Sequence, residues 1–146
     1  MLTIKTIPHP TDFSDRSDYA FALACSLAGN HGARLVVLHL ASRPVISTRE
    51  GVVPLEPEWY EETMAARLQE RRPGNPAIPV EHRSLFGDDP AAAILQQAPD
   101  MKADLIVMGT HGRTGFDRVL MGSVAEAVVR KAPCSVLTVK LPLAAA

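Results

Sequence analysis

The sequence predicts a single α/β domain built on a parallel sheet, and three observations carry that expectation. Short apolar runs alternate with longer stretches whose apolar residues recur at helical spacing, which is the pattern of strand–helix–strand units. The run Arg34-Leu35-Val36-Val37-Leu38-His39-Leu40 is apolar on both faces, as a strand covered by helices on each side should be. The length of 146 residues matches one ordinary domain, large enough to bury a core without disulfides or a structural metal.

The elements follow in order. A first strand is expected from Thr3 to about Pro8. Ala20, Leu23, Ala24 and Leu27 then fall at i, i+3, i+4 and i+7, one face of a helix that stops at Asn30 to Gly32. Arg34 to Leu40 is the second strand. Residues 42–57 read as irregular, because Pro44, Gly51, Pro54 and Pro57 break any regular element. Tyr60, Met64 and Leu68 mark a second helix, ended by Arg72-Pro73-Gly74-Asn75-Pro76. Ile78 to Leu85 is a weaker, more polar strand that suits an edge.

Gly87-Asp88-Asp89-Pro90 has the form of a helix start, with an aspartate cap and proline at the first helical position. Ala91, Ile94, Leu95 and Ala98 form the buried stripe of that helix. Asp104-Leu105-Ile106-Val107-Met108 is an apolar strand that ends abruptly at Gly109. A last helix from about Gly122 places Ala125, Val128, Val129 and Ala132 on one face. Ala132-Pro133 stops it, and Cys134 to Val139 is the final strand. The expectation is five strands and four helices in one domain over residues 1–146, with no linker or repeat.

Composition excludes several functions. Hydrophobic residues make up 47% and charged residues 21%, which is globular rather than disordered. The net charge of -1 comes from interspersed acids and bases, so no broad basic surface awaits nucleic-acid phosphates. No apolar run approaches the roughly 20 residues that cross a bilayer, and the N-terminus lacks the apolar core of a signal peptide. Cys25 and Cys134 stand far apart with no C-x-x-C pair, which suits two buried thiols in a reducing, cytoplasmic compartment.

The spacing after the fourth expected strand is Gly109-x2-Gly112-x9-Gly122-Ser123. A phosphate needs several backbone N–H groups at close range, and side chains obstruct that approach. Glycines at a strand exit permit it, and Gly122-Ser123 opens a helix whose first amides lack partners. A phosphate between Gly109/Gly112 and Gly122/Ser123 is therefore physically sensible, with the Ser123 hydroxyl as a further donor. Two familiar phosphate loops do not fit. No lysine follows Gly122 as the Walker pattern demands, and Gly109, Gly112 and Gly115 are spaced evenly by three rather than as G-x-G-x-x-G. Spacing alone leaves a plain glycine-rich turn before a helix as the competing reading.

The chain resembles the universal stress protein family over nearly its whole length. Pro10-Thr11-Asp12-Phe13-Ser14 after the first strand carries one half of the likeness. Val107-Met108-Gly109-Thr110-His111-Gly112-Arg113-Thr114-Gly115, Leu120 to Glu126 and Ala132 to Leu137 carry the other. The resemblance implies a single open five-stranded parallel sheet of order 3-2-1-4-5 with helices on both faces, a Rossmann-type fold akin to adenine nucleotide alpha hydrolases. The G-x2-G-x9-G-[S/T] spacing is that of the family's ATP-binding branch. Strands 1 and 4 of such a sheet meet at the topological switch point, so Asp12 and the glycine loop would face one crevice.

By that likeness Asp12 would contact the nucleoside, accepting from ribose hydroxyls or holding Mg or Mn that arrives with the nucleotide; its alternative is a cap for the first helix, in competition with Ser14. Pro10, Thr11, Leu40 and Met108 would enclose the adenine, or serve the core. Gly109, Gly112, Gly122, Ser123 and Val124 complete the cofactor-binding set, with His111 approaching phosphate through its backbone. Arg113 and Arg118 would either screen phosphate charge or remain solvated. Two departures stand out. Ile7-Pro8-His9 replaces the family's apolar strand end, so Pro8 should bend the strand or sit at a bulge, and His9 either faces the ligand or is a tolerated polar end. Ala125 stands where many nucleotide-binding members carry a hydroxyl.

The function implied is a regulatory, ATP- or AMP-binding protein of the stress response. It would form a homodimer through the apolar edge strand near Ser135-Val139, as family members commonly do. A slow metal-dependent ATPase or nucleotidyl-transfer enzyme is the first alternative, although no dedicated base or carboxylate cluster accompanies the loop. A nucleotide-free dimeric interaction module is the second.

Overall fold

The computed structural model describes residues 1–41, 45–54, 58–110 and 121–142. Its parallel strands are β1 (Thr6–Pro10), β2 (Arg34–Ala41), β5 (Val80–Phe86), β6 (Leu105–Gly109) and β7 (Ser135–Val139). Between β2 and β5 lie β3 (Val45–Thr48) and β4 (Gly51–Pro54). The helices are α1 (Asp15–His31), α2 (Glu58–Gln69), α3 (Pro90–Met101) and α4 (Ser123–Lys131).

The single five-stranded sheet of order 3-2-1-4-5 is not what forms. β1, β2 and β5 make a three-stranded parallel sheet with β2 in the middle, β6 and β7 make a separate parallel pair, and β3 and β4 make an antiparallel hairpin. The physical reason lies in β1. In a parallel strand, successive residues aim their N–H and C=O groups alternately to the two neighbours. Arg34 N–H donates to the Lys5 carbonyl and Thr11 N–H to the Leu38 carbonyl, so odd-numbered residues serve β2. Asp104 N–H donates to the Thr6 carbonyl, so even-numbered residues face β6. Pro8 and Pro10 both fall on that even-numbered side. Neither has an N–H to give, and a backbone ladder between β1 and β6 cannot close.

Side chains stitch this seam instead. The Asp104 carboxylate accepts from the backbone N–H groups of Lys5 at 2.8 Å and Thr6 at 3.0 Å. His9 Nδ1 lies 2.9 Å from the Val107 carbonyl oxygen. The expected bend or bulge at Pro8 does not occur, since Thr6 through Pro10 pair without interruption against Arg34 through Leu38. The strand also sits further along than the expected Thr3–Pro8.

The hairpin corrects the irregular reading of 42–57 over its described part. Val45 pairs with Pro54 and Ile46 with Val53 around a turn at Arg49-Glu50. β-Branched residues on both sides of a two-residue turn outweigh the flanking breakers.

Helix packing divides the core between the two faces. On one face Ile7, Leu35, Val37 and Val107 pack with Ala20, Ala24 and Ala28 of α1 and Leu68 of α2. On the other, Ile106 and Met108 pack with Ala91, Ile94 and Ala98 of α3 and Ala125 and Val128 of α4. Alanines at every fourth position let α1 approach closely, while Leu23 and Leu27 cover its flanks. Val129, expected on the buried face of α4, is instead 44% exposed. With Ala125 and Val128 inward, position 129 turns about 100° further round the helix and reaches solvent. β5 pairs only with β2 among the described residues, matching its expected edge position.

Candidate functional site

The turn after β1 is built by its own side chains. Thr11 Oγ1 accepts from the Phe13 N–H at 3.0 Å and from the Ser17 hydroxyl at 2.7 Å. Asp12 Oδ1 accepts from both the backbone N–H and the hydroxyl of Ser14, an Asx-type turn. Ser14 is the residue that caps α1, accepting from Ser17 N–H at 3.2 Å. The cap role considered for Asp12 therefore belongs to Ser14, and Asp12 shapes the turn ahead of the helix.

Phe13 has a φ of 63°, in the left-handed region that costs a non-glycine residue on the order of 1 kcal/mol. Its buried ring is held on several sides. The His39 ring lies 4.2 Å away by centroid, and the guanidinium groups of Arg67 and Arg71 sit 4.5 and 4.8 Å from its centre. His39 Nδ1 also lies 2.9 Å from the Thr11 carbonyl oxygen. A carbonyl only accepts, so in this bond the imidazole nitrogen carries the proton. Sequence reasoning assigned His39 no role; a lone imidazole at the end of an apolar strand is the signal that marks it.

The second wall comes from β6 and α4. Thr110 N–H donates to the Val139 carbonyl at 3.1 Å, and Gly122 N–H donates to the Thr110 carbonyl at 2.6 Å. The chain that leaves β6 at Gly109 is thus tied back to the start of α4. Gly122 is the cap residue of that helix and supplies no side-chain acceptor, and the first helical bond runs from Glu126 N–H to the Gly122 carbonyl. The N–H groups of Ser123, Val124 and Ala125 precede any intrahelical partner, and the helix dipole places partial positive charge at the same point. Such an end favours an anion.

Pro10, Leu40 and Met108 share one face. Pro10 pairs with Leu38, which packs with Val36 and Met101, and Leu40 follows two residues on. Met108 packs with α3 and α4. Pro10 and Leu40 keep part of their surface open, whereas Met108 is only 5% exposed and serves the core. Thr11 is buried in the turn. Ala125 is likewise buried and joins the apolar cluster with Met108. His111, Gly112 and Arg113, with Gly115 and Arg118, lie outside the described residues.

His9 sits on the opposite face, with its ring 5.6 Å from that of Phe21 in α1. It is fully buried, and burial lowers its pKa to about 4 despite the Val107 hydrogen bond and the nearby Asp18 and Asp12 charges. Neutral, with Nδ1 donating to Val107, it leaves Nε2 as a bare acceptor without a hydrogen-bond partner among the described residues. The ring thus belongs to the seam and not to the apolar wall.

Comparison with known proteins gives one consistent result. The universal stress protein family model matches residues 3–140. A universal stress protein of Thermus aquaticus is 39% identical over 142 residues, which cover 93% of this chain and 98% of that protein. Among solved structures, the universal stress protein UspA from Lactobacillus plantarum superposes with a TM-score of 0.75 at 27% identity, over 95% of this chain and 99% of its own. A universal stress protein in complex with cAMP superposes with a TM-score of 0.71 at 26% identity, over 97% of this chain and 100% of its own.

Proposed function

This chain belongs to the universal stress protein family, and from that premise we propose that it binds an adenine nucleotide between the ends of β1 and β6. One observation carries the reading: an α4 start without a side-chain cap is tied through Thr110 to the end of the strand beside β1, from which Asp12 emerges. The phosphates would lie against Gly109 and the amides of Ser123 and Val124, joined by Gly112, the His111 backbone and Arg113. Asp12 would accept from the ribose, and Pro10, Thr11, Leu40 and Met108 would border the base. The relative solved with cAMP supports an adenine nucleotide as the ligand class, with ATP, ADP or AMP as the working form. The regulatory role in stress response is inherited from the family.

Among the described residues no group of three or more His, Cys, Asp or Glu side chains is arranged to hold a metal ion. In this reading Mg or Mn arrives with the phosphates, and Asp12 contributes one carboxylate. The chain acts as one domain over residues 1–146. No helix among the described residues is long and apolar enough to cross a membrane, and the free thiols Cys25 and Cys134, half-buried rather than fully buried as expected, suit the reducing cytoplasm. β7 pairs on one side with β6; its other edge would pair with a second copy to give a homodimer. Light scattering at micromolar concentration checks that, and a monomer refutes it.

The test of the site is calorimetric titration with ATP. Gly122 has φ -69° and ψ 161°, which valine also adopts, so Gly122→Val obstructs the approach without forcing the backbone. Micromolar binding by the parent and its collapse in Gly122→Val are expected. Equal affinity in the two proteins sinks the proposed site.

A further inference from the structure

We infer that His39 is a positioning residue for the Asp12 carboxylate, holding the turn that presents it to the nucleotide from both sides at once. This rests on the nucleotide reading above and adds a residue to it. The argument is geometric. Asp12 has a short tether, because its neighbours in the chain fix its backbone. Ahead of it, the Thr11 carbonyl accepts from His39 Nδ1 at 2.9 Å, while Thr11 N–H is fixed by the Leu38 carbonyl at 2.8 Å. Behind it, the Phe13 ring packs on the His39 ring at 4.2 Å. A single buried side chain on β2 therefore grips the residues on either side of Asp12.

The grip matters because the turn is not a resting conformation. Phe13 holds a left-handed φ of 63°, and without a restraint the backbone would relax toward the common regions and carry Asp12 with it. The local bonds from Asp12 to Ser14 and from Thr11 to Phe13 and Ser17 shape the turn internally. His39 ties it to the sheet. Because the carboxylate must meet two adjacent hydroxyls of a ribose, its placement governs affinity more strongly than the fold's stability.

Three substitutions separate positioning from mere packing. Asn carries its amide nitrogen on Cγ, where His carries Nδ1, so His39→Asn keeps the donor to Thr11. His39→Gln moves that donor one bond outward, and His39→Leu removes it. All three variants lose the ring against Phe13, so ATP affinity by calorimetry should fall in each, least in His39→Asn, which keeps the Thr11 bond, and roughly tenfold or more in His39→Gln and His39→Leu. With 2′,3′-dideoxy-ATP, which offers Asp12 no hydroxyl, the four proteins should bind alike. The Asn and Gln pair decides the matter even where the Leu variant does not fold. Equal ATP affinity of the Asn and Gln variants overturns the inference, as does a loss that persists with the dideoxy nucleotide. If the parent itself binds neither nucleotide, the proposed function fails and takes this role with it, an outcome distinct from a parent that binds and variants that match it.

Discussion

The two edges of β1 are held by different chemistry. Toward β2 every pair from Thr6–Arg34 to Pro10–Leu38 is in register, and backbone bonds close the ladder at both ends. Toward β6, Pro8 and Pro10 lack the amides that a ladder needs, and the Asp104 carboxylate, the His9 imidazole and the backbone bond from Asp104 to Thr6 cross the join beside the packing of Ile7 on Val107. A ladder distributes its loss over many equivalent bonds, whereas at this seam the Asp104 and His9 side chains carry a larger share. The proposed ligand would bridge the same two strands, with Asp12 following β1 and Gly109 ending β6.

One series of measurements ranks the parts of this contrast. The largest effect belongs to His9. An unfolded histidine protonates as pH falls through about 6.5, but the folded one resists until about 4 because burial penalises its charge. Between those values the unfolded chain binds the extra proton, so stability is fully present above about 6.5 and declines as pH falls toward 4. The decline should be on the order of 3 kcal/mol in urea unfolding. His9→Asn, which retains a donor toward Val107, should flatten the difference; a parent and variant with parallel pH profiles would remove His9 from the seam.

Asp104→Ala comes next. It frees two backbone amides, Lys5 and Thr6, from a charged acceptor, and about 1.5 kcal/mol should be lost, with faster hydrogen exchange at both amides. The smallest effect lies on the β2–β5 side. Arg83 and Arg34 hold the Glu81 carboxyl below the usual range, with the Arg83 hydrogen bond the larger influence. These side chains are partly exposed, however, and the ladder beneath them does not need them. Glu81→Gln should cost only about 0.5 kcal/mol. If Glu81→Gln cost more than Asp104→Ala, the contrast between a laddered and a stitched edge would be wrong.

Much of the fold was legible in the sequence because periodicity reports burial. The β-branched run at Arg34–Leu40 and the Asp89-Pro90 helix start appear in the structure close to their expected places, and of the expected α1 face Ala20 and Ala24 are buried while Leu23 and Leu27 lie at its flanks. Asp89 caps α3 by accepting from Ala92 N–H at 3.1 Å. The split of the sheet was not legible. Whether a proline breaks a ladder depends on which neighbour its missing amide would face, and that parity is set by register with β2, a long-range property. The hairpin was hidden by the prolines and glycine beside it, which punctuate a turn as readily as they forbid a strand.

The candidate site divides in the same way. Gly122-Ser123 could be read as a helix start because cap preference is local. The burial of Ala125 depends on the packing of α4 against α3. His39 escaped notice because its partners, Thr11 and Phe13, lie 28 and 26 positions away in the chain. His9 attracted attention as a polar end of a strand, and its actual partner, the Val107 carbonyl, is 98 positions distant.

The most direct test of the central claim, that an adenine nucleotide spans the β1–β6 seam, is amide hydrogen exchange with and without ATP. At ATP near 100 times the dissociation constant, openings that part the two strands should become about 100-fold rarer. The N–H groups of Thr6, Asp104 and Gly122, which bridge or flank the seam, should slow accordingly, while the outer edge of β5 keeps its rate. Unchanged exchange at Asp104 and Gly122 under saturating ATP would contradict the account.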